Sequence, residues 1–231
     1  MPADSETQQV EVNCRVCGLP FTACRYVLPD KRVIIAGVCD KCYGAKVVAI
    51  REDAAKKEAT TERWLQLCPI LYQRTDPARL PQTQLPEVLA WQYGPEGLLL
   101  VGPTGTYKTR TAYLLLKRLV LDEGRRVEAF DGLAFDHECV RRFRDEGDGE
   151  EWADGLAHVD VVFFDDIGKG CFTPRVEAEM FGLIERRAAN GLPIIATTNM
   201  TGADLAAKVT EDRGAPLIRR LREFCKCVTF A

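Results

Sequence analysis

The stretch LLLVGPTGTYKTRTAYLLLKRL, from Leu98 to Leu119, constrains the fold more than any other part of the chain. An apolar run ends at Gly102, a short loop follows, and Arg110–Glu123 then has helical character. The loop approximates the phosphate-loop pattern G-x-x-x-x-G-K-[ST], with Gly102, Lys108 and Thr109 in place. In that reading the loop Gly102, Pro103, Thr104, Gly105, Thr106 and Tyr107 wraps the phosphates, and the backbone N–H groups of all but Pro103 are free to turn toward their oxygens. The start of the next helix adds positive potential. Lys108 reaches the β- and γ-phosphates of a nucleotide, and the Thr109 hydroxyl binds Mg²⁺. Tyr107 departs from the pattern, because glycine there brings freedom in φ and room for phosphate. Tyrosine is expected to forfeit that freedom and to point a large ring outward or toward the nucleotide. A glycine-rich strand–helix turn without a ligand is the plainer reading of the loop alone.

Two downstream segments bear on that choice. HVDVVFFDDIG runs an apolar strand into Asp165 and Asp166, about 60 residues after the loop. This is the Walker B arrangement: Asp165 aims at magnesium, while Asp166 positions or activates the attacking water. The next apolar run, PIIATTN, ends in Asn199, which either contacts the γ-phosphate or the lytic water, or simply forms a turn or helix cap. Five apolar runs read as strands: Leu98–Val101, Val127–Phe130, Val159–Phe164, Pro193–Thr198 and Lys226–Phe230. Helical segments such as Arg175–Ala189 alternate with them, which implies an α/β fold with a parallel sheet covered on both faces. The acidic stretch 145–154 reads as a solvated loop or helix end. Residues 45–68 read as one or two helices, and 69–81, with three prolines, as an irregular linker.

The N-terminal part is organised differently. Ten of 231 residues are cysteine. MPADSETQQVEVN has neither the basic nor the apolar region of a secretory signal, so lasting disulfides are not expected and a cytoplasmic location is. No apolar run approaches the ~18 residues of a membrane span. Cys14 and Cys17, then Cys39 and Cys42, form two C-x₂-C pairs with 21 residues between them, the spacing of a four-thiolate zinc site. Gly18 and Gly44 stand where tight turns would follow each pair. Cys24 lies inside the loop without a paired cysteine. Cys68, Cys139, Cys171, Cys225 and Cys227 read as small apolar residues, with Cys225 and Cys227 on one strand face. A net charge of −3 excludes a strongly basic nucleic-acid coat. Residues 208–231 nevertheless hold six Lys/Arg against three acids, and Arg110, Lys117, Arg118, Arg125 and Arg126 add more.

LLLVGPTGTYKT, VVFFDDIG, RRAANGLPIIATTNM and DRGAPLIRRLREFC, in this order, resemble the DnaC/IstB type of AAA+ ATPase. Such proteins include replicative helicase loaders and transposition helpers. The resemblance implies a five-stranded parallel sheet with the strand before the phosphate loop at its centre, flanked by the Walker B strand. It implies ATP with Mg²⁺, and assembly of a homo-oligomer in which an arginine from one subunit enters the neighbour's site. Arg220 matches that arginine best, with Arg219 and Arg213 as alternatives. The sequence stops after the last expected strand, so no helical lid is expected. The implied organisation is a zinc ribbon over 1–44, a helical and irregular linker over 45–85, and an AAA+ domain over 86–231. The implied partners are a replicative DNA helicase, met by the zinc ribbon, and single-stranded DNA. A transposition helper and a non-hydrolysing nucleotide-binding adaptor are the rival readings.

Overall fold

Three short strands are followed by a long polar helix. A computed structural model describes residues 7–28, 30–144, 147–170, 172–209 and 211–231. The chain divides into two compact units, one ending at Ala59 and the other running from Thr60 to Ala231. In the first unit β1 (Thr7–Asn13), β2 (Pro20–Val27) and β3 (Val33–Ile35) form an antiparallel sheet in sequence order. The β1–β2 hairpin carries Cys14 and Cys17 in its turn, where Gly18 adopts φ +73°. Cys39 directly precedes α1 (Asp40–Leu67), and Cys42 sits in its first turn. Gly44 is therefore helical and makes no tight turn; the helix supplies the second cysteine pair instead. The region read as one or two helices is this single one.

The second unit begins with short elements packed where the sequence suggests an irregular linker. These are α2 (Ile70–Gln73), a 3-10 turn at Pro77–Arg79, and α3 (Gln84–Leu89). The prolines do not prevent them, because Pro77 stands in the first turn after the Asp76 cap, where a missing N–H costs nothing. A five-stranded parallel sheet follows: β4 (Gly97–Val101), β5 (Val127–Asp131), β6 (Val161–Asp165), β7 (Ile194–Thr198) and β8 (Cys225–Thr229). Each expected strand is present within two residues. Their order is β5-β6-β7-β4-β8. The expected contact between β4 and the Walker B strand β6 is thus absent, because β7 lies between them, pairing Ile195 with both Leu98 and Phe163. Burial explains the placement: all five residues of β7 are buried, whereas β5 and β8 carry exposed positions suited to sheet edges.

Alternation along the strands sorts the core into two layers. Val161 and Phe163 face α4 (Lys108–Leu121), with Leu115, Leu116 and Leu119. Val162 and Phe164 face the other layer, with Leu183 and Ile184 of α7 (Pro174–Ala189). That second layer also holds α5 (Ala134–Arg142), α6 (Gly149–His158), α8 (Gly202–Lys208) and α9 (Glu211–Phe224). α6 corrects the reading of 145–154 as solvated: Ala153 and Leu156 are buried, and Trp152 packs edge-on to Phe130. Residues 145, 146 and Cys171 lie outside the described residues. Cys68, Cys139 and Cys225 are buried as expected, but Cys227 is exposed on the edge strand β8.

Candidate functional site

A cleft of about 450 Å³ opens at the C-terminal ends of β4, β6 and β7, where parallel α/β sheets bind ligands. The loop after β4 forms one wall. Gly102 is obligatory, since a Cβ there would collide with the Phe230 carbonyl. Gly105 adopts φ +89°. Tyr107 corrects the expectation that a side chain forfeits the glycine conformation, for it holds φ 65° and ψ 16° itself. A left-handed non-glycine residue costs about 1–2 kcal/mol. Here the backbone is held by α4: the Tyr107 carbonyl accepts from both the N–H and the hydroxyl of buried Thr111, each at 3.0 Å. Tyr107 stays 48% exposed at the cleft.

Lys108 opens α4, and its ammonium is drawn into the loop. Nζ donates at 2.8 Å to the carbonyls of Gly102 and Pro103 and to Asn199 Oδ1. Thr106 closes the turn by donating to the Pro103 carbonyl. Burial lowers the Lys108 pKa, against the pull of Asp166 and Asp165. Beside it the Thr109 hydroxyl donates to Asp165 Oδ1 at 2.7 Å, and the Thr197 hydroxyl donates to the same oxygen at 2.7 Å. Burial pushes the Asp165 carboxyl up, and these two hydroxyls partly offset it. Asp166, at φ 62°, turns away from its neighbour and accepts from Asn199 Nδ2 at 2.8 Å. The Asp166 N–H is held by Thr197 Oγ1. The cap of α8 is Thr201, so Asn199 is not that helix cap; it bridges Lys108 and Asp166.

Lys108, Thr109, Asp165, Asp166 and Asn199 therefore meet in one cleft, with Thr104, Gly105 and Tyr107 on its rim. Sequence reasoning passed over Thr197, Asp131, Lys169, Leu71 and Tyr72, which also line it. Thr197 was findable, since strand alternation puts it on the same side as Asn199. Tyr72 was not: it reaches the site by stacking on Tyr113, with the Arg110 guanidinium 5.4 Å above its ring.

The candidate arginines lie elsewhere. Arg220 is clamped by both oxygens of Glu185 on α7 and by Glu223 at 3.1 Å, which raises its pKa. Arg219 is largely exposed, 3.8 Å from Glu223, and Arg213 donates to the Pro174 carbonyl. Much of the expected basic surface is engaged in the fold. Arg118 bonds the carbonyls of Leu89 and Trp91, Arg125 stacks 3.7 Å from the Tyr93 ring centre, and Arg110 donates to the Leu71 carbonyl.

In the first unit the sulfurs of Cys14, Cys17, Cys39 and Cys42 all lie within 4.8 Å of one another, and Cys24 is outside the group. Cys17 and Cys39 are 3.9 Å apart. This fits a tetrahedral ion with ~2.3 Å metal–sulfur bonds. The N–H groups of Cys39 and Val16 point at Cys14 Sγ, at 3.4 and 3.5 Å, and with their neighbours bring that thiol down to about 6. Cys42, sharing hydrogens with Cys39 and Cys17, is pushed up to about 12. Four thiols so close resist ionising together unless a cation joins them.

No protein-family model matches the chain, and no curated protein matches it. Solved structures do. The DnaC helicase loader aligns over 73% of this chain and 99% of its own, at 21% identity and a TM-score of 0.57. DnaI aligns over 71% and 95%, at 18% identity and a TM-score of 0.55. AMPPCP-bound DnaA from Aquifex aeolicus aligns over 64% of this chain at 19% identity and a TM-score of 0.52. The match spans 44% of the Aquifex aeolicus DnaA chain and 50% of DnaA bound to AMPPCP and single-stranded DNA. Among the described residues no helix is long and apolar enough to cross a membrane. The five-stranded parallel sheet and these likenesses establish one thing about the chain: it shares the α/β fold of DnaC, DnaI and the matching part of DnaA.

Proposed function

We propose that the chain binds and hydrolyses ATP with Mg²⁺ and loads a replicative DNA helicase onto DNA in the cytoplasm during replication. The observation that carries the nucleotide part is the meeting of Lys108, Thr109, Asp165, Asp166 and Asn199 at three strand ends. Lys108 exchanges the loop carbonyls for phosphate oxygens. Thr109 and Asp165 hold Mg²⁺, which offsets charge developing on the transferred phosphoryl group. Asp166 orients the attacking water, and Asn199 keeps Asp166 and Lys108 in register. Lys108→Ala is expected to weaken nucleotide binding at least about tenfold, the effect of losing a charge-assisted contact; equal affinity in a titration with fluorescent ATP removes the site assignment.

The four cysteines hold Zn²⁺ in this reading, and the metal supplies folding free energy to a unit with little core. The three-part division at 44/45 and 85/86 belongs to the same proposal. The zinc unit exposes Val16, Leu19, Tyr26, Val33 and Ile34, which suits a protein partner better than nucleic acid. A pull-down with the full chain as bait separates the options: a replicative helicase supports the loader, a transposase the transposition helper. Assembly brings Arg220 into a neighbour's site, for which it must leave Glu185; Arg219 and Arg213 are the alternatives. Arg220→Ala is expected to spare ATP binding and remove turnover.

One observation favours the adaptor. Tyr107 occupies the glycine position with its ring at the cleft. ATP turnover measured with and without single-stranded DNA decides it: Mg²⁺-dependent turnover excludes the adaptor, and tight binding without turnover supports it.

A further inference from the structure

A second cavity, of about 340 Å³, lies against the face of the sheet covered by α8 and α9, beside the edge strand β8. Leu99, Val101, Leu205, Ile218 and Leu221 make its walls apolar. Its size falls within the ~300–1,000 Å³ of small-molecule pockets, which combine apolar walls with a few polar groups. One cation stands among the lining residues. Arg222 is exposed, and its guanidinium lies over Gly202, where a Cβ would meet Nη2 at 2.9 Å. Among the described residues Arg222 has no ion-pair or hydrogen-bond partner, unlike Arg220 two positions earlier. An unpaired guanidinium at the mouth of an apolar hollow matches a ligand with an apolar tail and one negative head.

We propose that this cavity binds a small apolar anion, of the medium-chain carboxylate class, with its tail between α8, α9 and the sheet and its head on Arg222. The site has a route to the nucleotide cleft. Thr198 and Met200 line the cavity, while Thr197 and Asn199, which alternate with them along the end of β7, line the cleft. Occupancy therefore presses on the segment that positions Asn199, and the regulatory part of the proposal rests on the nucleotide reading above.

Calorimetric titration of the full chain, free of nucleotide, with octanoate tests the site. Saturable one-to-one binding is expected for octanoate and none for octylammonium. Arg222→Gln, an exposed position that leaves the core intact, is expected to weaken octanoate about tenfold. Ile218→Trp, which fills the hollow, is expected to abolish it, with both variants checked by thermal melting. Absence of saturable binding, equal binding of octylammonium, or no effect of Arg222→Gln overturns the proposal. ATP affinity with and without saturating octanoate is expected to differ at least about threefold. Equal affinities remove the regulatory role, whereas a chain that binds octanoate but no ATP refutes the nucleotide reading alone.

Discussion

Tyr107 shows how a single residue can break a sequence pattern and still take the conformation the pattern needs. Its φ of 65° is that of the missing glycine, maintained by the double contact of its carbonyl with Thr111. Relieving the strain and removing the ring should favour phosphate entry, so Tyr107→Gly is expected to bind ATP more tightly than the wild type. Lower affinity, read in the same fluorescence titration, means the ring itself contacts the ligand. Asp165 allows a second prediction. Its carboxyl is raised above the ordinary 3.8 chiefly by burial, so the ionised group opposes folding at neutral pH. The unfolded chain ionises first, and the raised group's contribution to stability is present below the ordinary value and lost as pH rises through the folded one. Asp165→Asn keeps an acceptor for Thr109 and Thr197 and is expected to melt higher than the wild type at pH 7 without metal. The gap should narrow as the pH is lowered toward 4, and a variant that melts lower at pH 7 contradicts the burial account.

At the scale of elements, a buried arginine joins what the strands and helices leave apart. Arg187 of α7 is fully buried and donates to the carbonyls of Leu156, Val159, Asp160 and Pro193. It ties the end of α6 and the entry of β6 to the entry of β7, and desolvation lowers its pKa to about 10. Its hydrogen bonds among the described residues go to four carbonyls, which share the charge, and the Asp160 carboxylate acts on it only electrostatically. Nε is buried without an acceptor, but removing the cation still strands its four carbonyl partners, and breaking a buried ionic site typically costs about 3–5 kcal/mol. Arg187→Ala is accordingly expected to lose that order of stability in urea denaturation, and a loss under about 1 kcal/mol means water replaces the side chain. The elements themselves were largely legible: five apolar runs gave five strands, and α4 and α7 lie where helical spacing put them. α6 was not, because its acidic N-terminal turn resembles a solvated loop, and only Trp152, Ala153 and Leu156 against Phe130 and the second core layer reveal its buried side.

Across the whole molecule the two units stand on different physics. The unit from Thr60 to Ala231 has two apolar layers on a sheet, whereas the first has a small hairpin sheet and four clustered thiols. If the four thiols hold zinc as proposed, adding a chelator is expected to melt β1–β3 while leaving the parallel sheet folded, seen as two separate transitions in circular dichroism. A single shared transition shows instead that the units fold together.

Local spacing alone determined the groups that define the candidate sites: two cysteine pairs, a phosphate-type loop, and polar residues at the ends of apolar runs. Those follow from strand and helix periods, which act over a few residues. Tertiary structure decided that β7 separates β4 from β6, that Tyr72 and Thr197 join the cleft, and which arginines are tied to carbonyls and carboxylates. These depend on pairings between segments far apart in the chain, chosen by burial of whole faces rather than by any local pattern.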